Sequence, residues 1–143
     1  MKRGVTIIEL GIVIICITAA VILLYPFVKK LKEEVLRIRC INNLQRISIA
    51  LREYALENDE KLPADLSLIY VKGYIRDGSI FDCPFSEKKG DAKEPDYEYV
   101  KGLDFKSTQN YPIVYDKKGN HKNNIMYVLY ISGEILEEAE SPI

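Results

Sequence analysis

The chain of 143 residues has a single histidine, only three cysteines and no surplus of positive charge. It contains no CxxC or HExxH pattern and no phosphate-cradling glycine loop, so the common dithiol, zinc-hydrolase and nucleotide signatures are missing. A formal charge of −1 and a pI near 5.9 argue against a generally basic nucleic-acid binder. Mean hydropathy is −0.08, close to neutral, yet 48% of the residues are hydrophobic. The apolar excess is concentrated at the front of the chain.

From Val5 to Val28 the sequence reads VTIIELGIVIICITAAVILLYPFV. Its polar groups are those of Thr6, Glu9, Cys16, Thr18 and Tyr25. About 24 residues of helix cover roughly 36 Å, enough to cross a ~30 Å hydrocarbon core with some tilt. The run is too long for the apolar region of a secretory signal, and VILLYPFVKK offers no small-x-small cleavage site. Lys2 and Arg3 precede the run and Lys29, Lys30 and Lys32 follow it, so the balance of cations does not set its orientation.

Glu9 is the anomaly in this segment. A carboxylate in hydrocarbon costs several kcal/mol or takes up a proton unless a cation meets it. The surrounding stretch, KRGVTIIEL, resembles the class III signal of type IV prepilins and type II secretion pseudopilins. That pattern is a short basic leader, a glycine, a hydrophobic residue, threonine, two apolar residues, then glutamate and leucine. The resemblance implies that a membrane-embedded prepilin peptidase cuts after Gly4, leaving Val5 as the first mature residue with a methylated amine. It also implies an inner-membrane assembly platform, a single-pass anchor with its head outside the cytoplasm, and later a periplasmic or cell-surface filament. Within it, Glu9 of one subunit would meet the Val5 amine of its neighbour, so that assembly relieves two charges together. Pro26 lacks an N–H and disturbs the helical ladder, and in this family a proline there marks a kink or a locally unwound stretch.

Residues 29–58 continue as a helix without glycine or proline. Leu36, Cys40, Leu44, Ile47, Leu51 and Tyr54 share one face at 100° per residue, expected to pack on the chain's own head. Leu31, Val35, Ile38 and Ile49 form a second stripe on roughly the opposite side, which a bundle of identical helices would bury. Residues 59–143 read as the head. Pro63 is expected to stop the long helix, Asp65 to cap a short one and Gly73 to end it. EKKGDAKEPDYEYV reads as a surface loop entering a strand near Tyr97–Lys101. YPIVYD and IMYVLYI read as further strands, and Ser132-Gly133 as a hairpin turn before EILE. The expected fold is α+β: a leader over 1–4, a membrane or filament-core helix over 5–28, its amphipathic continuation, and an antiparallel sheet of three or four strands. That is also the pilin architecture.

RCINNLQRISIALREYALENDEKLP, FDCP and NHKNNIMYVLYISGEI are similar to prepilin-like proteins of planctomycetes and verrucomicrobia. In many of those a histidine is followed by a later Asp-Gly, where this chain has His121 and then Ser132-Gly133. With the head outside the cytoplasm, Cys40 and Cys83 are the expected disulfide, closing a ring of about 44 residues worth ~3–4 kcal/mol by the chain-entropy argument. Cys16 reads as a small packing residue. Cys83 with His121 has no surrounding catalytic signature, and the histidine reads as a solvated loop residue. Asp91, Glu94, Asp96, Glu98 and Asp104 offer oxygens to calcium, as loops of some pseudopilins do, but their spacing fits no defined site and a solvated acidic loop is expected. No catalytic residue, metal or cofactor is therefore expected. The expected partners are other copies of the chain or pseudopilus co-subunits, the peptidase, the platform and membrane lipid. The expected role is a structural filament subunit, with a non-polymerising membrane-anchored binding module outside the cytoplasm as the alternative.

Overall fold

A computed structural model describes residues 6–107, 109–121 and 125–143. It has one long helix, α1 (Ile7–Leu56), a one-turn helix α2 (Leu68–Val71), a 3-10 turn (Gly78–Phe81) and four strands. The strands are β1 (Tyr97–Tyr99), β2 (Pro112–Asp116), β3 (Met126–Tyr130) and β4 (Ile135–Glu138). They form an antiparallel meander in the order β1-β2-β3-β4. This is the α+β, pilin-like layout expected from the sequence. The chain divides into two compact units, one ending at Val35 and the other covering Leu36–Ile143.

In the first unit, α1 contains a window with mean hydropathy 2.9, none of it buried. The helix is long and apolar enough to cross a membrane. The Thr18 hydroxyl donates to the Ile15 carbonyl at 2.9 Å, so this polar group is satisfied inside the helix. Helical structure continues unbroken through Pro26.

The second unit holds the core. Cys40, Asn43, Leu44, Ile47, Ala50, Leu51 and Ala55 are the buried residues of α1, recurring at the three- and four-residue steps that keep one helical face inward. They pack with Ile69, Ile80, Phe81, Tyr97, Ile113, Val114, Leu129 and Ile131, among others. Full burial of side chains of this size contributes about 1.5–3 kcal/mol each. Tyr127, Leu129 and Ile131 reach this core with the period of two that a strand dictates. On β2 the register shifts between Pro112 and Val114, and the adjacent residues Ile113 and Val114 both join the core. Pro112 is the first residue of its strand, where a missing donor is tolerated.

Two turns differ from expectation. α1 ends at Leu56, within two residues of the expected 58. It is stopped by Asp59 and Glu60, which take left-handed backbone angles, and by the Glu60 N–H returning to the Ala55 carbonyl at 2.9 Å, rather than by Pro63. Asp65 does not sit at the α2 N-cap, which is Ser67. Its Oδ1 accepts from the Ser67 N–H and hydroxyl, fixing the turn that leads into the helix. Gly73 follows α2 with φ of 85°, and Gly133 turns the β3–β4 hairpin with φ of 89°.

Candidate functional site

Of the residues expected to matter at the helix start, Gly4 and Val5 lie outside the described residues. Glu9 is described, and its carboxylate has a local partner. Its Oε2 accepts from both the N–H and the hydroxyl of Thr6, each at 2.9 Å, while the Glu9 N–H donates to Thr6 Oγ1 at 3.3 Å. This is a capping box, in which threonine before the helix and glutamate three residues on satisfy one another's donors. The pattern was legible as T-x-x-E ahead of an apolar run. Glu9 thus has a partner within its own chain, although its side chain remains exposed. Leu31, Val35, Ile38 and Ile49 are also exposed, each at half or more. Cys16 is exposed in the single chain.

The second candidate lies within the Leu36–Ile143 unit. Cys40 projects from α1, Cys83 follows the 3-10 turn, Asp116 ends β2, and His121 stands in the β2–β3 connection. One ligand atom from each lies within 4.8 Å of the others. Their exposures are 0%, 1%, 0% and 7%, so the site is sealed from solvent. The expectation of a solvated histidine is therefore corrected: His121 is buried, because an acid and two sulfurs compensate its polar ring.

The atoms converge on one ring nitrogen. His121 Nε2 donates to Asp116 Oδ2 at 3.0 Å and lies 3.4 Å from Cys83 Sγ and 3.6 Å from Cys40 Sγ. The Cys40 thiol donates to Asp116 Oδ1 at 3.4 Å. The expected Cys40–Cys83 bridge is not formed here: both are free thiols in mutual contact, each also facing Nε2.

Outer groups hold these four in place. The Tyr127 N–H donates to Asp116 Oδ2 at 2.8 Å. The Tyr97 hydroxyl lies 3.8 Å from Cys40 Sγ, and Asn43 Nδ2 donates to it at 3.4 Å. The Cys83 N–H donates to Asp96 Oδ2 at 2.9 Å, and the Gly90 N–H shares that oxygen at 3.2 Å. The rings of Phe85 and Tyr127 cover the imidazole at centroid distances of 4.5 and 5.1 Å.

Electrostatics follow from this packing. The hydrogen bond with Cys83, then burial and the Asp116 charge, push the Cys40 thiol far up. The contact with the Cys40 sulfur lowers the Cys83 thiol, helped by His121 and opposed by burial. Burial works to lower the pKa of His121, but its bonds to Asp116 and Cys83 and the nearby negative charge outweigh this and raise it to about 9. Burial raises Tyr97, so its hydroxyl stays protonated.

The acidic residues suggested for calcium do not assemble into a site among the described residues. Asp91, Glu94 and Glu98 are exposed, whereas Asp96 is buried and binds backbone N–H groups of the preceding loop. Asp116, Asn43 and Tyr97 went unnoticed in the sequence as site residues. Each sits in a segment whose periodicity reports only helix or strand, and their convergence is tertiary. Comparison of the chain with protein-family models, curated proteins and solved structures finds no match in any of the three.

Proposed function

We propose that this chain is a structural, non-enzymatic subunit of a type IV pilus-like or type II secretion pseudopilus filament. Prepilin peptidase would process it after Gly4 and methylate Val5. It would then assemble, from a single-pass inner-membrane state with its head outside the cytoplasm, through its N-terminal helix. The observation that carries the reading is the KRGVTIIEL stretch leading directly into an unbroken apolar helix. The α+β head and the second apolar stripe on α1 support it. In the filament, Glu9 pairs with the Val5 amine of an adjacent copy, which offsets the cost of holding each charge in an apolar zone.

The capping box favours a second reading. If Glu9 serves only to start its own helix, the chain is a membrane-anchored module that does not polymerise. Glu9→Gln separates the two, because glutamine preserves the cap while removing the charge. Under the filament reading, the Glu9→Gln chain inserts and is processed but its fibre yield in sheared material collapses, whereas Thr6→Ala assembles nearly normally. Equal, mild effects of both substitutions would reject charge pairing between subunits.

A further inference from the structure

We propose that Cys40, Cys83, Asp116 and His121 form a structural binding site for one divalent d-block metal ion, zinc foremost. This goes beyond the assembly reading and does not depend on it. Zinc binds thiolate sulfur at about 2.3 Å, imidazole nitrogen at about 2.0–2.1 Å and carboxylate oxygen at about 2.0–2.2 Å, usually with four tetrahedral ligands. Ligand atoms around such an ion stand roughly 3.3–3.8 Å apart by that geometry. Here sulfur and nitrogen are separated by 3.4 and 3.6 Å, sulfur and oxygen by 3.4 Å, and nitrogen and oxygen by 3.0 Å. The sulfur separations fall in that range, and the nitrogen–oxygen pair is closer because a direct hydrogen bond holds it. All four ligand atoms lie within 4.8 Å of one another, with a soft-to-borderline donor set that suits zinc.

Three other accounts fit less well. A disulfide requires a bond of about 2.05 Å between the sulfurs and leaves the buried Asp116–His121 pair without a role. A nucleophilic relay places the thiol and the acid on opposite nitrogens of the imidazole. Here Cys83 and Asp116 both address Nε2, and the thiol is sealed from substrate. A plain polar cluster is internally balanced by the Asp116–His121 pair, but it gives no reason for two sulfurs, a carboxylate and an imidazole to converge on one point. A bound dication would take the two thiolates and the carboxylate as anionic ligands, leaving one negative charge, with neutral imidazole as the fourth ligand.

Outer-shell bonds of the kind that orient metal ligands are present: Tyr127 N–H on Asp116, the Tyr97 hydroxyl near Cys40, and aromatic walls around His121. Four protein ligands leave no open coordination position, so the ion would serve stability rather than catalysis. It would tie α1, the loop after the 3-10 turn, the end of β2 and the β2–β3 connection together at one point.

The test uses the full-length chain in detergent micelles, isolated anaerobically with reductant. Metal content is measured directly, and cobalt(II) is then titrated into chelator-treated protein and followed by absorption. The expected result is one zinc per chain, and with cobalt one equivalent giving intense tetrahedral bands and thiolate charge transfer, both bleached by zinc. Cys40→Ser and Cys83→Ser should each remove about half of the charge-transfer intensity, while Cys16→Ser leaves it unchanged. His121→Ala should weaken binding by more than about 100-fold, beyond what loss of an outer partner costs. Should a ligand variant fail to fold, the wild-type titration and the Cys16→Ser control still decide. Absence of stoichiometric zinc together with absence of thiolate–cobalt bands overturns the proposal. So does recovery of the chain from membranes, without reductant, chiefly as a metal-free Cys40–Cys83 disulfide.

Discussion

Ile22 and Ile47 belong to the same helix, yet 71% of the first is exposed and none of the second. The same residue type serves two purposes on either side of Val35. Ahead of it, the large apolar side chains of the described residues are exposed all round the helix. Beyond Leu36, one face of α1 closes a core, and polar groups enter only where partners meet them. The two unusual acids differ in the same way. Glu9 is exposed among apolar neighbours and is held by Thr6, whereas Asp116 is fully buried and is met by a backbone N–H, a thiol and an imidazole. An all-round apolar helix is one whose solvent is supplied from elsewhere, by lipid or by other helices.

This contrast can be broken most forcefully in the core. Leu44→Ala removes a fully buried side chain, and denaturant unfolding of the head, followed by near-ultraviolet dichroism of its tyrosines, should show a loss of about 2–5 kcal/mol. Ile22→Ala should leave head stability unchanged; an equal loss would erase the distinction between the regions. The glycines offer a sharper pair. A Cβ on Gly90 would stand 2.4 Å from the Phe81 carbonyl oxygen and 2.8 Å from Asp96 Cγ, so Gly90→Ala should cost about 1–3 kcal/mol in the same measurement. A Cβ on Gly11 meets nothing within 4 Å, and Gly11→Ala should stabilise the helix by about 0.5–1 kcal/mol, read as raised helicity in micelles. The smallest effect belongs to the surface. Arg46 and Asp77 pair at 3.1 Å with both side chains about half exposed, and Arg46→Met should change head stability by less than ~1 kcal/mol.

Much of this fold was legible because period and punctuation report local structure. The inward face of α1 was read from Cys40, Leu44, Ile47 and Leu51, and all four strands were placed within a few residues. The end of α1 lies within two residues of the expected position 58, but what stops it is the left-handed pair Asp59 and Glu60, neither of which is a glycine, rather than Pro63. The 3-10 turn went unread, since GSIF carries no period of its own. The cap was legible in Thr6 and Glu9, but the apolar context drew attention to charge rather than to backbone donors. The buried cluster was only half visible. Cys40 and Cys83 were paired on compartment grounds, while His121 resembled any loop histidine until Asp116, from another strand, was folded against it.

The most direct test of the filament account is mass spectrometry of the chain recovered from sheared surface fibres. The account predicts that it begins at Val5, carries a methyl group on that amine and is enriched over the membrane fraction. A chain that retains Met1 through Gly4 and stays wholly in the membrane would contradict it.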